Sequence, residues 1–327
     1  MESLIFAINA VSPIILTVAV GYLLKKIGMM NGDFSKKANK LVFRVFLPVM
    51  LFMNIYGIEN IQAVDFGYVI YSVTALLIIF AVALPSVMIL TDKRKCRGAL
   101  LQAVFRSNYA LIGIPLASSL FPGEGAAVAT LLSAFMIPVF NILAVIALSI
   151  FNNDGEKPDF KKVLLGIAKN PLILSILAGL AALGIRAILA NASISFRISE
   201  IPAVWNSLKY LSNIATPLSL LVLGAQFEFS AIPALKKQII FGIALRSVLI
   251  PSLALTVAYF IEIFDGASFA AFVAMFATPV AVSTVPMCQS MGADHQLAGQ
   301  LVVWTTAISS VVIFLASFVL KAIGVFG

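Results

Sequence analysis

Two stretches decide the fold. The first reads Arg106-Ser107-Asn108-Tyr109-Ala110-Leu111-Ile112-Gly113-Ile114-Pro115, and the second Thr278-Pro279-Val280-Ala281-Val282-Ser283-Thr284-Val285-Pro286. Each carries a proline inside a long apolar run. Proline removes a backbone donor and its ring clashes with the preceding turn. It also pushes the residue before it out of helical geometry. Ile114 and Val285 are therefore expected to be extended or irregular breaks in two membrane helices. Irregular backbone at bilayer depth is tolerated only inside protein or along a wet cavity. Half-helices starting at Pro115 and Pro286 would aim free N–H groups and positive dipole ends at the midplane, where an anion is the natural ligand. Either proline alone is equally well read as a plain kink. The pair, at corresponding positions of the two halves, favours a site.

The surroundings of these stretches are those of a lipid-embedded chain. Of 327 residues, 61% are hydrophobic and 11% charged, and the mean hydropathy is +1.06. An ordinary soluble domain is about half apolar and about a quarter charged. A soluble enzyme, a disordered regulator and a disulfide-stapled secreted domain are excluded. The apolar runs are long and continuous, unlike the short alternating strands of a membrane barrel. Ten of them are visible, at roughly 3–24, 38–57, 67–90, 98–121, 125–151, 170–190, 203–225, 238–262, 267–291 and 296–323. The reading is an all-α polytopic membrane protein of ten helices, with the fourth and ninth broken.

Charge placement orients the chain. Lys25, Lys26, Lys36, Lys37, Lys40, Lys93, Arg94, Lys95, Arg97, Lys157, Lys161, Lys162, Lys169, Lys236 and Lys237 fall in or beside the loops after segments 1, 3, 5 and 7. The opposite side holds Arg186, Arg197, Lys209 and Lys321. The basic side faces the cytoplasm, and an even number of spans then puts both termini outside. The net charge of +8 is explained by this bias, so no nucleic-acid partner is expected. No cleavable signal peptide is expected either, since the first lysine follows the first apolar run.

The two halves look alike. Pro48 and Pro217 are offset by 169 residues, Pro85-Ser86 and Pro251-Ser252 by 166, and Pro115 and Pro286 by 171. Five spans per copy is odd, so the second copy must be inserted upside down, as in many secondary transporters. Residues 1–155 form the first repeat and 160–327 the second, a 5+5 inverted repeat.

Asn108 lies about two helical turns before Pro115, where a buried amide can donate to a carboxylate or bond across helices. Ser283, Thr284, Gln289 and Thr278 are weaker polar candidates in the second stretch. Arg106 and Arg246 are read as cations snorkelling to the cytoplasmic surface, and His295 as a solvated loop residue. No Asp or Glu sits mid-span, which argues against a carboxylate proton relay. The two cysteines, Cys96 and Cys288, have no metal or disulfide spacing. No paired acids, metal cluster or nucleophile–base set is visible, so neither an enzyme nor a bound cofactor or metal is expected.

Ser107-Asn108 followed by Gly113-Ile114-Pro115-Leu116 resembles the first crossover helix of the auxin efflux carrier family, which includes plant PIN carriers and bacterial malonate- or malate-type permeases. Lys169-Asn170-Pro171, Ser212-Asn213 to Leu223-Gly224, and Pro286 followed by Gly292-Ala293-Asp294 resemble further parts of the same family, across essentially the whole chain. The large loop of many plant members is absent.

The resemblance implies a sodium/bile-acid-symporter-like fold working as an elevator. Spans 1, 2, 6 and 7 would be a scaffold that makes a homodimer, and spans 3–5 and 8–10 a moving transport unit. It places Asn108, Gly113, Ile114, Pro115, Val285, Pro286 and Thr284 at the substrate site, with Asn170 approaching from the scaffold. Pro279 stands where a second Asn would match Asn108, so no Asn role passes to that half.

The expected function is a permease or efflux carrier of small organic anions in the cell (inner) membrane. Carboxylates such as dicarboxylates or auxin-like acids would bind at the crossover of spans 4 and 9. The alternative is a sodium-coupled symporter of the bile-acid type, its ion held by carbonyls at the breaks and by Ser, Thr and Gln groups.

Overall fold

A computed structural model describes residues 2–57, 66–122, 124–151, 165, 168–191 and 195–326. Among the described residues the chain is helical apart from its connections and one isolated antiparallel bridge. Helix α1 spans Glu2–Lys26, α2 Gly32–Tyr56 and α3 Phe66–Leu90. Two short helices follow, α4 at Arg94–Phe105 and α5 at Tyr109–Leu120. Then come α6 at Glu124–Phe151, α7 at Pro171–Asn191, α8 at Pro202–Gln226 and α9 at Phe229–Ile261. A second short pair, α10 at Gly266–Phe276 and α11 at Thr284–Ser290, precedes α12 at His295–Ala322.

Among the described residues, seven helices, α2, α3, α6, α7, α8, α9 and α12, are long and apolar enough to cross a membrane. Large apolar side chains stand exposed along α3 (Ile70, Leu77, Val82, Ile89) and α7 (Leu174, Leu177, Ile188). Apolar exposure on this scale marks a lipid-facing surface. The protein is a multi-pass membrane protein.

The apolar runs read from the sequence coincide with these helices, with informative differences. Helix α2 starts at Gly32 rather than 38, because Asn31 caps it by accepting the Phe34 N–H at 2.8 Å. Helix α9 likewise begins at Phe229 rather than 238. Lys36, Lys37, Lys40, Lys236 and Lys237 therefore ride on helical turns continuous with the spans. Of the basic residues used for orientation, Lys157, Lys161 and Lys162 lie outside the described residues, as does the stretch between the halves at 152–160.

Proline does not break the chain where its local rule suggests. Ile114 is helical, with φ −60° and ψ −49°, and Val285 is the second residue of α11. The expectation of extended breaks there is corrected. Three prolines, Pro48, Pro115 and Pro251, each sit just after a π-helical turn: Val42–Phe46, Tyr109–Gly113 and Ala244–Leu249. Widening the turn moves the carbonyl that would meet the ring and absorbs the missing donor. Pro286 occupies the third position of α11, a first-turn site where no N–H is needed.

Helix α1 packs along α8, α2 against α7 and α8, and α6 against α4, α5 and α10. The α1–α8 seam is close enough for backbone contact. A Cβ on Gly224 would lie 1.9 Å from the carbonyl oxygen of Val18, and one on Gly21 would lie 2.1 Å from that of Leu221. Elsewhere the core is aromatic: Tyr71 packs at a tilt against Phe272 and Phe264, with ring centroids 4.9 and 5.2 Å away, and its hydroxyl donates to the Ala254 carbonyl.

The acidic residues take helix-end roles. Asp265 accepts the Ser268 N–H at 2.8 Å and Asp294 that of Leu297 at 2.9 Å. Gly292, at φ +75°, terminates α11, and the next N–H, of Ala293, returns to the Cys288 carbonyl at 2.8 Å.

Candidate functional site

The true interruptions lie between α4 and α5, at Arg106–Asn108, and between α10 and α11, at Ala277–Ser283. The two extended pieces cross and pair. Ser107 and Val280 form an antiparallel bridge. The Asn108 N–H donates to the Pro279 carbonyl at 2.8 Å, and the Ala281 N–H to the Arg106 carbonyl at 3.3 Å. The Pro279 ring is tolerated because these bonds ask only for its carbonyl. Helix α12 supports the crossing, since the Val280 N–H donates to Thr305 Oγ at 3.1 Å.

Beside the crossing lies a cavity of about 830 Å³. Its walls come from α1 (Pro13, Ile14, Thr17), α2 (Leu47, Met50, Leu51, Asn54), α6 (Ile137, Phe140, Asn141) and α8 (Ser212, Asn213, Thr216, Pro217, Ser219, Leu220). Arg106 to Leu111, Pro115 and Ala281 to Ser283 complete it from the broken segments. A volume near the upper end of small-molecule sites, mostly apolar with a few convergent polar groups, is that of a ligand pocket.

The polar groups at the crossing are unsatisfied. Ser107 is 5% and Asn108 7% exposed, yet Ser107 Oγ and Asn108 Nδ2 have no hydrogen-bond partner among the described residues. Leaving a buried donor unmade costs about 1–3 kcal/mol. The first-turn N–H groups of α5, at Tyr109, Ala110 and Leu111, have no acceptor further back in their own helix, and all three residues line the cavity. The positive end of the helix dipole points the same way.

Arg106 and Arg246 do not snorkel. Arg106 is 4% and Arg246 1% exposed, so that expectation is corrected. Arg106 Nη1 donates to Gln102 Oε1 at 2.7 Å and to the Met287 sulfur, and Nη2 to Asn141 Oδ1 at 2.7 Å. Asn141 is held in turn by donating to the Ile137 carbonyl at 2.8 Å. Arg246 caps the end of α10. Its Nε and Nη2 donate to the Thr278 carbonyl at 3.0 and 2.7 Å, and Nη2 also to that of Met275 at 3.0 Å. Those carbonyls are the negative end of a half-helix, which a cation satisfies.

The sequence candidates divide. Asn108, Pro115 and Ser283 line the cavity. Gly113 and Ile114 sit behind the wall, Gly113 pressed so closely on α10 that a Cβ would lie 2.9 Å from the Ala274 carbonyl oxygen. Thr284, Val285 and Pro286 are buried in the first turn of α11, away from the cavity, and Thr284 Oγ also has no partner among the described residues. Thr278 turns its hydroxyl to the Ala274 carbonyl at 2.7 Å. Asn170 caps α7 through the Leu172 N–H at 2.9 Å and touches the Met291 sulfur, so the structure does not bring it to the cavity.

Gln289 belongs to an amide cluster that joins α2, α8 and α11. Asn39 donates to it and to Gln226 at 3.2 Å, and Gln226 donates to Gln289 at 3.4 Å. His295, read as solvated, is half-buried at the start of α12. Sequence reasoning missed several polar wall residues, Arg106, Ser107 and Asn141 beside the crossing and Asn54 and Asn213 across from it among them. The signal was present in Arg106 itself, a charge inside a span and the first residue of the broken stretch.

In the first turn of α4, Cys96 donates to Asp294 at 3.2 Å, and the Asp294 N–H to the Lys95 carbonyl at 3.0 Å. Burial, reinforced by the Asp294 carboxylate, pushes the Cys96 thiol up to about 12. Among the described residues no three His, Cys, Asp or Glu side chains gather as a metal site requires.

Comparison with known proteins gives the same direction. Residues 6–317 match the family described as membrane transport protein. The chain is 25% identical over 317 residues to a protein of Methanocaldococcus jannaschii named an uncharacterized transporter, covering 94% of this chain and 96% of that one. A family match over nearly the whole length, on a chain with several lipid-exposed apolar helices and an internal polar crossing, leaves one conclusion: the chain belongs to the membrane transport protein family, that of the auxin efflux carriers, and is a transporter rather than an enzyme.

Proposed function

We propose that the protein is a secondary transporter of small organic anions, carboxylates above all, bound at the crossing of the two broken segments. One observation carries the reading: Ser107 Oγ and Asn108 Nδ2 are buried, unpartnered and set in a cavity wall beside the open N–H groups of Tyr109 to Leu111. Donors collected in this way match a carboxylate. The surrounding apolar wall, with Ile14, Met50, Leu51 and Phe140, suits the rest of an organic molecule.

In this reading α4–α5 and α10–α11 are the fourth and ninth of ten spans in a 5+5 inverted repeat. Both termini lie outside the cell membrane. Spans 1, 2, 6 and 7 form the scaffold of a homodimer, and the remaining spans carry the ligand past it. What supports the division is that the cavity takes its wall from both groups, α1, α2 and α8 on one side and the crossing with α6 on the other.

The test is uptake by proteoliposomes of radiolabelled mono- and dicarboxylates, with and without a sodium or proton gradient. Saturable uptake of a carboxylate, competed by its unlabelled form, is the expected result. Absence of uptake and of thermal stabilisation by every carboxylate in the set would overturn the reading, as would unsaturable conductance.

A further inference from the structure

We infer that Arg106 selects the charge of the ligand: its guanidinium is the fixed counter-charge for one carboxylate in the crossover cavity. The inference rests on the transport reading above and adds to it a residue and a charge count.

Arg106 is hydrogen-bonded to three helices, but its charge has no opposite charge beside it among the described residues. It is 4% exposed, in a chain whose acidic residues sit at helix ends and loops. Its acceptors, Gln102, Asn141 and Met287, are all neutral. The ion pairs among the described residues, Lys25–Glu228 and Arg97–Asp92, do not involve it. A buried charge without an opposite charge is costly, and neutral hydrogen bonds recover only part of that cost. Arg246, equally buried, differs in two ways. Its donors go to carbonyls at a helix C-terminus, which carry negative dipole charge, and it does not line the cavity.

Arg106 and its acceptor Asn141 both stand in the cavity wall. The next two residues along the chain, Ser107 and Asn108, hold the unpartnered Oγ and Nδ2. Uncompensated charge and unmade donors thus converge on one place, and an anion satisfies both. Among the described residues that line the cavity, Arg106 is the one that carries charge. One carboxylate is neutralised there, and a second would enter uncompensated.

The experiment measures binding to the purified full-length protein by calorimetry, using phenylacetate against phenylacetamide and succinate against succinamate at pH 8. Wild type is expected to prefer phenylacetate roughly 10- to 100-fold, as a charge-assisted bond requires, and to bind succinamate at least as tightly as succinate. Arg106→Gln should bring the acid and the amide within about threefold of each other, and Arg106→Lys should retain most of the preference. Asn141→Asp keeps Arg106 in place and neutralises it with a carboxylate of the same shape. It should erase the preference too, which covers failure of Arg106→Gln to fold.

Wild type binding acid and amide equally would overturn the inference. So would an unchanged acid preference in Arg106→Gln or Asn141→Asp, and in either case the transport reading survives if uptake persists. Succinate binding about tenfold more tightly than succinamate would overturn the charge count. Wild type binding none of the four would overturn the inference and leave the carboxylate reading to the uptake experiment above.

Discussion

The amide of Asn108 donates to the carbonyl of Pro279 across 2.8 Å, and the two residues are 171 apart, the same offset that separates Pro115 from Pro286. Residues in corresponding positions of the two halves thus meet face to face at the point where both helices are interrupted. The side chain of Asn108 lines the cavity, and its Nδ2 has no partner among the described residues.

Replacing Asn108 with Ala removes that free amide and leaves the backbone bond to Pro279 in place. Carboxylate affinity should fall about 10-fold or more, the worth of a hydrogen bond to a charged group, while the unfolding temperature in detergent stays within a few degrees. Calorimetry and a thermal melt on the same preparation check both halves of the statement.

Gly224→Val should be strongly destabilising. The new Cβ meets the Val18 carbonyl oxygen at 1.9 Å, and backbone cannot rotate away as a side chain can. A loss of at least about 1–3 kcal/mol is expected from overpacking, read as a lowered melting temperature or loss of the monodisperse peak. Gly184→Ala is the control. Nothing lies within 4 Å of its Cβ, and alanine favours the helix by up to about 1 kcal/mol.

Arg246→Met should lower stability without a matching loss of ligand binding. The Thr278 and Met275 carbonyls lose their donors, and each buried acceptor left bare costs about 1–3 kcal/mol. Some of this is returned because a buried charge is removed as well. A melting temperature equal to wild type would refute the capping role.

Cys96 should resist alkylation by N-ethylmaleimide in the folded protein from pH 7 to 9. Its pKa, raised to about 12 by burial and then by Asp294, keeps the thiol protonated throughout that range, and the thiolate is the reactive form. An ordinary cysteine would react faster as pH rose through about 8.5. Asp294→Asn should bring the onset of labelling to lower pH. Mass spectrometry of the Cys96 peptide, with denatured protein as the positive control, gives the answer.

Much of the fold was legible because lipid imposes a single requirement, long apolar runs, and leaves charge for the ends. The runs at 67–90, 125–151 and 203–225 each end within a residue or two of α3, α6 and α8. Asn108 and Pro115, a polar group and a proline inside an apolar span, could be picked out from the sequence and do line the cavity. The position of the breaks was not legible. The proline rule is local and points to Ile114 and Val285. The extended pieces form instead at Arg106–Asn108 and Ala277–Ser283, where each supplies the other's hydrogen bonds from 171 residues away. Burial of the two arginines was hidden likewise. Sequence distance from a span end does not measure depth once a helix stops short and its neighbours close over it. The acceptors of Arg106 come from three helices, α4, α6 and α11.

The glycine contacts between α1 and α8 have a mechanical meaning. Two helices separated by interdigitated side chains can creep past each other as rotamers exchange. Where Gly21 and Gly224 let carbonyl oxygens rest directly on the opposite backbone, a shift of one residue would bring a flanking side chain, such as Val20 or Leu223, against main chain that has no freedom to yield. That seam is a keyed joint, locked in register, and any displacement the molecule undergoes in its working cycle must be taken up at its other seams.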